Sequence, residues 1–472
     1  MSTATRFAAG AQSTGSVLSS DRNKTLLVKN IHTLVTMDDE RREIHNGAIL
    51  VQNNVIKVVG TTEELPKVGS EVLDLQGRYV VMPGMVNTHH HFYQVLTRVI
   101  TPDGTLFPWL KSLYPIWKNM RSTDIYLSAK LAAAELLLSG CTTSSDHLYI
   151  LPNDCRIDDE IRALADIGMR FTAVRGSMSI GESDGGLPPD NVVETIPAIL
   201  KDSQRIIEEH HDNSRHSMIR VALGPCSPFT VTVDAMSESA KLIEDYEGVR
   251  LHTHLAENAD DIAYMKEKYG ARPAEWTESL GWLSDKVWHA HCVHLDDTDI
   301  GMFAKAGTGA AHCPASNMRL ASGAAPIRAM RDAGMRVGLG VDGSASNDTS
   351  NMLQEARLAL LLARVREVSV DGMTAREAIE IATRGGAEVL GRDDIGYLTP
   401  GMSADFIAVD THRNEFVGAH ADPVAALVLC QTDHVDYSFV NGRKVVDQGR
   451  LTTVDYDLLA KQTRAAAIAL VS

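Results

Sequence analysis

Between residues 83 and 396, short apolar runs alternate with longer amphipathic stretches. This rhythm constrains the fold more than any other feature of the chain. The runs at 85–87, 142–146, 170–175, 220–223, 249–254, 287–291, 309–312 and 336–341 read as strands. Stretches such as 123–139, 191–210, 235–246 and 298–306 read as helices between them. Eight strands separated by helices over roughly 300 residues match the size and order of a (β/α)8, TIM-like barrel. A doubly wound open sheet has the same alternation and is the competing α/β arrangement.

The flanks have a different character. Runs at 25–28, 48–51, 55–59, 72–75 and 79–82 are short, often β-branched, and punctuated by Asn, Gly and Asp, as in a small meander. Strand-like runs return at 397–410 and 435–447, where Val440-Asn441-Gly442-Arg443 is a two-residue hairpin signal. The expectation is a barrel over 83–396 inserted into one small β-sandwich built from 25–82 and 397–450. Residues 1–24 are polar and rich in small side chains, and read as a flexible tail. The Ala- and Leu-rich end, 451–472, reads as a helix.

The chain has 472 residues, 44% of them apolar, enough for a sizeable core. Its formal net charge of −16 argues against nucleic acid and anionic membrane as partners. Its six cysteines are scattered without a Cys-x-x-Cys pair, which reads as free thiols of a reducing compartment. With neither a signal-like apolar segment nor a bilayer-length apolar run, the expected location is the cytoplasm.

Four histidine- or aspartate-bearing strand ends carry the chemistry. In Asn87-Thr88-His89-His90-His91, residues i and i+2 share one strand face, so His89 and His91 can both enter the barrel mouth. His252 and His254 repeat that alternation and offer a third imidazole. Glu257 follows three residues on, where a carboxylate can exchange protons with a metal-activated water. One of His289, His291 and His294 can polarise the attacked group. Gly338-Leu339-Gly340-Val341-Asp342-Gly343 matches the dinucleotide fingerprint, but it lies far from an N-terminal βαβ unit and no helix start follows. It reads instead as a strand end delivering Asp342.

Three imidazoles and one carboxylate on one rim suit a single Zn2+ or Fe2+ with room for water. The fourth strand ends Leu223-Gly224-Pro225-Cys226-Ser227, without a carboxylate to bridge a second metal, although Cys226 could bridge as a thiolate. The zinc signature of cytidine deaminases, His-x-Glu with Pro-Cys-x-x-Cys, is absent.

These motifs, with Pro83-Gly84, His254-Leu255-Ala256-Glu257, Ala290-His291-Cys292-Val293-His294 and Gly340-Val341-Asp342-Gly343, resemble the amidohydrolase superfamily and its mononuclear deaminase branch. Further strings, including His91-Phe92-Tyr93-Gln94, Gly185-Gly186-Leu187-Pro188-Pro189 and Pro225-Cys226-Ser227-Pro228-Phe229, resemble branch members acting on an oxidised purine. Triazine hydrolases share several of them. Guanine-acting members tend to carry Arg-Phe where this chain has Cys226-Ser227.

The resemblance implies that His89, His91, His254 and Asp342 bind one divalent metal, zinc before iron. Glu257 would carry the proton, His291 would orient the attacking oxygen, and Asp342 would help to deprotonate it. The implied reaction is 8-oxoguanine plus water to urate plus ammonia, with triazine, pterin and guanine aminohydrolysis as alternatives. A metal-binding barrel without activity is a further alternative, which the acid–base pair Glu257 and His291 argues against. The implied substrate contacts are Gln94, Cys226, His147, Asn317 and a stacking aromatic among Trp109, Tyr114 and Trp117. Family habit implies a homo-oligomer.

Overall fold

The computed structural model describes residues 24–66, 69–430 and 432–472. All of the expected tail except Lys24 therefore lies outside the described residues. The first five strands are β1 (Thr25–Val35), β2 (Glu43–Gln52), β3 (Val55–Thr61), β4 (Glu71–Asp74) and β5 (Tyr79–Pro83). Eight parallel strands follow. They are β6 (Met85–Asn87), β7 (Cys141–Leu148), β8 (Arg170–Ser177), β9 (Ile219–Pro225), β10 (Arg250–Leu255), β11 (Val287–His291), β12 (Gly309–His312) and β13 (Arg336–Leu339). The chain ends with β14 (Phe406–Asp410), β15 (Tyr437–Val440), β16 (Arg443–Asp447), β17 (Arg450–Leu451) and a helix over Tyr456–Val471.

Strands β6 to β13 close into a barrel in chain order, with β13 returning to β6 where Leu339 pairs Asn87. Closure eliminates the open-sheet alternative. Every residue of β7 and β8 is buried, as expected of parallel strands covered on both sides. The helix Ser122–Leu138 illustrates the cover, with buried Ile125, Ala129, Ala132, Ala133, Leu136 and Leu137.

Both chain ends contribute to one nine-stranded sheet, ordered β17-β16-β15-β14-β5-β1-β2-β3, with β4 on β1. The seam between the two halves is antiparallel, Phe406 pairing Pro83 and Ile407 pairing Met82. Leu26, Val28, Ile31, Ile49, Phe406 and Phe439 form its separate apolar core. Strand β5 passes through Gly84 directly into β6, so sheet and barrel share a continuous backbone at the site's first strand. Beside it, Arg170 on β8 grips both carboxylate oxygens of Asp405 at 3.0 Å, with both side chains buried.

The aromatic segment after β6 contains the helix Leu106–Trp117. Pro108 sits in its first turn, where the missing N–H has no intrahelical partner to lose. The helix turns Trp109, Leu113, Tyr114 and Trp117 inward. No helix among the described residues is long and apolar enough to cross a membrane.

Candidate metal and catalytic site

Three imidazoles at the barrel's carboxyl rim are held in one tautomer. His91 donates from Nδ1 to the His147 carbonyl at 2.8 Å, and His254 from Nδ1 to the Cys226 carbonyl at 2.7 Å. A carbonyl only accepts, so both Nε2 atoms carry lone pairs. His252 bonds the Trp288 carbonyl through Nδ1 (2.9 Å) and accepts the Nδ1 proton of His89 at its Nε2 (2.8 Å). That relay leaves the Nε2 of His89 as a third lone pair, buried with no hydrogen-bond partner. Burial holds all three rings below the usual histidine range, and takes His91 to about 3.

Two of these lone pairs, Nε2 of His91 and Nε2 of His254, face each other at 3.1 Å. The Asp342 Oδ1 stands 3.3 Å from Nε2 of His89 and 3.4 Å from Nε2 of His91. His89, His91 and Asp342 cluster tightly enough to share one ion. Lone pairs and a carboxylate converging without a proton between them repel one another unless a cation is shared, so the donor set fits a divalent metal. His89, His147 and His254 also cluster. His147 spends its Nε2 proton on the Gly224 carbonyl at 2.8 Å, and its carbonyl braces His91. Burial pushes the Cys226 thiol up to about 12. Among the described residues, Cys226 belongs to none of the clusters close enough to share one ion.

Glu257 and His291 flank this cluster. His291 Nε2 lies 3.6 Å from Glu257 Oε2 and 3.9 Å from Asp342 Oδ2. Burial, reinforced by the Asp342 and Asp261 carboxylates and opposed by His291, raises Glu257 to about 7. Burial alone would lower His291, but the Glu257 and Asp342 charges and the Asn317 hydrogen bond overcome it and raise the ring. Asp342 is held well below its usual range, because the neighbouring His89, His291 and His91 rings outweigh burial. The backbone stores strain here. Ala256 (φ 53°), His291 (70°), Cys292 (53°) and Asp342 (62°) all adopt the left-handed region. All four lie at or just past the end of a barrel strand, and of them His291 and Asp342 line the site.

One cavity opens onto these groups, with His91, His254, Glu257, His291 and Asp342 in its wall. Of the expected substrate contacts, Gln94, Trp109, Tyr114 and Cys226 line it. His147 and Asn317 are not among its lining residues: behind the site, His147 Nε2 donates to the Gly224 carbonyl and Asn317 Oδ1 accepts from His291. Trp117 is also absent from the wall and donates instead to Thr97 Oγ1.

The sequence reading missed Leu106, Leu110, Tyr149, Ser227, Phe229 and Leu320 as further lining residues. Tyr149 follows β7 directly, and position after a barrel strand was the available signal for it. Leu106 and Leu110 belong to the helix Leu106–Trp117, which Trp109 tacks down by donating from Nε1 to the Ala345 carbonyl at 3.1 Å. Gly343 has a steric role: a Cβ there would overlap the Gln94 carboxamide, whose Oε1 accepts from Ala345 N at 3.3 Å.

Residues 80–445 match the model of the amidohydrolase family, and the chain belongs to that family. It is 44% identical to the 8-oxoguanine deaminase of Pseudomonas aeruginosa, over 90% of this chain and 95% of that protein. It is 35% identical to a hydroxydechloroatrazine ethylaminohydrolase of a Pseudomonas species, over 93% of this chain and 94% of that one. The crystal structure of an atrazine chlorohydrolase from Arthrobacter aurescens, complexed with zinc, superposes with a TM-score of 0.89 at 34% identity, covering 94% of this chain and 100% of that one. The protein is thus a hydrolytic enzyme of the deaminase type, from a superfamily that binds a divalent metal.

Proposed function

We propose that this enzyme hydrolyses 8-oxoguanine to urate and ammonia. The observation that carries the proposal is the convergence of Glu257, His291 and Asp342 on one wall of a cavity closed by an apolar helix and faced by the Gln94 carboxamide. The 44% identity to an 8-oxoguanine deaminase supports the choice of purine.

His89, His91, His254 and Asp342 would hold the metal, with zinc favoured by the zinc-complexed relative. When bound, a divalent cation supplies the Lewis acidity that brings water's pKa to about 7. Glu257 accepts the water proton at its carboxylate, and its raised pKa suits both taking and returning that proton near neutrality. His291 turns Nε2 towards the same point and orients the oxygen, while Asp342 Oδ2 shares in accepting the proton. Oxygen adds to C2 of the purine, and Glu257 returns its proton to a ring nitrogen. The C2–N bond then breaks, ammonia leaves with the second proton of the water, and C2 becomes the third carbonyl of urate. Trp109 or Tyr114 would stack on the ring, Gln94 would bond its amide edge, and Cys226, small and neutral, leaves room for the 8-oxo group.

A triazine reading is favoured by one feature: Leu106, Leu110, Phe229 and Leu320 give the cavity an apolar flank suited to an N-alkyl substituent. A side-by-side assay of 8-oxoguanine, isoxanthopterin, guanine and hydroxyatrazine separates the readings. The largest kcat/KM should fall on 8-oxoguanine, with urate as product. A preference for hydroxyatrazine, with release of alkylamine, would move the enzyme to the triazine class.

A further inference from the structure

Asn317 lies in the short helix Pro314–Arg319, which begins two residues after β12. Its carboxamide oxygen accepts from Nδ1 of His291 at 2.9 Å. Asn317 is 1% exposed, and its Nδ2 is buried with no partner. A buried amide that leaves its donor unsatisfied is a poor choice for packing alone. The oxygen is the end of this side chain that has work, and that work is on His291.

His291 needs such a partner. It sits at φ 70°, where the strand has already turned, and Nε2 faces two carboxylates at 3.6 and 3.9 Å. A half-turn about the Cβ–Cγ bond would exchange the ring's nitrogen and carbon edges. Committing Nδ1–H to Asn317 fixes both the ring plane and the location of one proton, leaving Nε2 as the atom that meets the reacting oxygen.

We infer that Asn317 is a positioning residue for His291, setting its tautomer and orientation without touching substrate. The inference rests on the role proposed above for His291. Asn317→Leu keeps the volume and removes the acceptor; Asn317→Asp restores an acceptor at the same place. Turnover is measured per metal-loaded chain, on whichever heterocycle the parent prefers, with metal content and melting temperature in parallel. The expected result for Asn317→Leu is a fall in kcat of about 10- to 100-fold with little change in KM. Asn317→Asp should recover most of that loss and move the pH profile.

A rise in KM with kcat preserved would overturn the inference in favour of substrate contact. Loss of metal or melting temperature, with kcat per loaded chain unchanged in both variants, would make Asn317 merely structural. A third readout needs no substrate: 15N spectra of histidine-labelled protein, with His291 assigned by the signal lost in His291→Asn. Nδ1 should be protonated in the parent, and an unprotonated Nδ1 would overturn the inference. If His291→Asn instead leaves turnover intact, the role of His291 fails, whatever the spectra show.

Discussion

Glu257 carries the clearest consequences at the scale of single residues. Replacing it with Gln should reduce kcat by about 10²- to 10⁴-fold, measured as ammonia release, while metal content is retained. Its carboxyl is raised by burial to about 7, so the ionised base is lost as pH falls through that value. The kcat/KM profile should therefore drop on the acid side of about pH 7 with unit slope. Stability runs the other way. A buried carboxyl raised above its ordinary value opposes folding once it ionises, so Glu257→Gln should not lower the melting temperature at pH 8. A variant that loses activity and also melts earlier at pH 8 would point to a packing role instead.

Much of this residue-level chemistry was legible in the sequence, because strand alternation alone puts His89 with His91 and His252 with His254. It did not tell a site ligand from its support. The pair His89–His252 shows why: a proposed ligand and its brace are the same residue type, and only the direction of the Nδ1 proton separates them.

Among the elements, the strand ends and the covering helix shape the cavity. The eight barrel strands follow the apolar runs closely, yet β13 stops at Leu339 although the run continues to Val341. The chain turns early so that Asp342 can reach the left-handed conformation that aims it inward. The helix Leu106–Trp117 was not legible. Two prolines and an aromatic-rich face conceal its period, and only tertiary burial of that face makes it helical. Gly343→Ala tests how the loop after β13 meets this region. Its methyl group would displace the Gln94 carboxamide, and a shift of that size at a positioning group can cost as much as about 100-fold. The expected result is a rise in KM with an unchanged melting temperature, checked by steady-state kinetics beside thermal unfolding.

For the molecule as a whole, one buried ion pair joins barrel to sheet. Arg170 and Asp405 are both buried, and Asp405 also accepts from Asn441 N at 2.6 Å. Asp405→Ala leaves a buried guanidinium unpaired and should destabilise the protein by about 3–5 kcal/mol. Denaturant unfolding would measure that loss, while kcat per folded chain should stay near the parent value because the site is built from other residues. The sequence held both runs that meet at this seam, but their antiparallel pairing joins residues more than 300 positions apart and has no local signature.

The central claim, metal-dependent hydrolysis of an oxidised purine, is tested most directly by titrating zinc into metal-stripped protein while following 8-oxoguanine. Stripped protein should be inactive, and activity should saturate at one zinc per chain, with one urate and one ammonia formed per substrate consumed. Activity that survives stripping, or fully loaded protein that releases no ammonia from 8-oxoguanine, would contradict it.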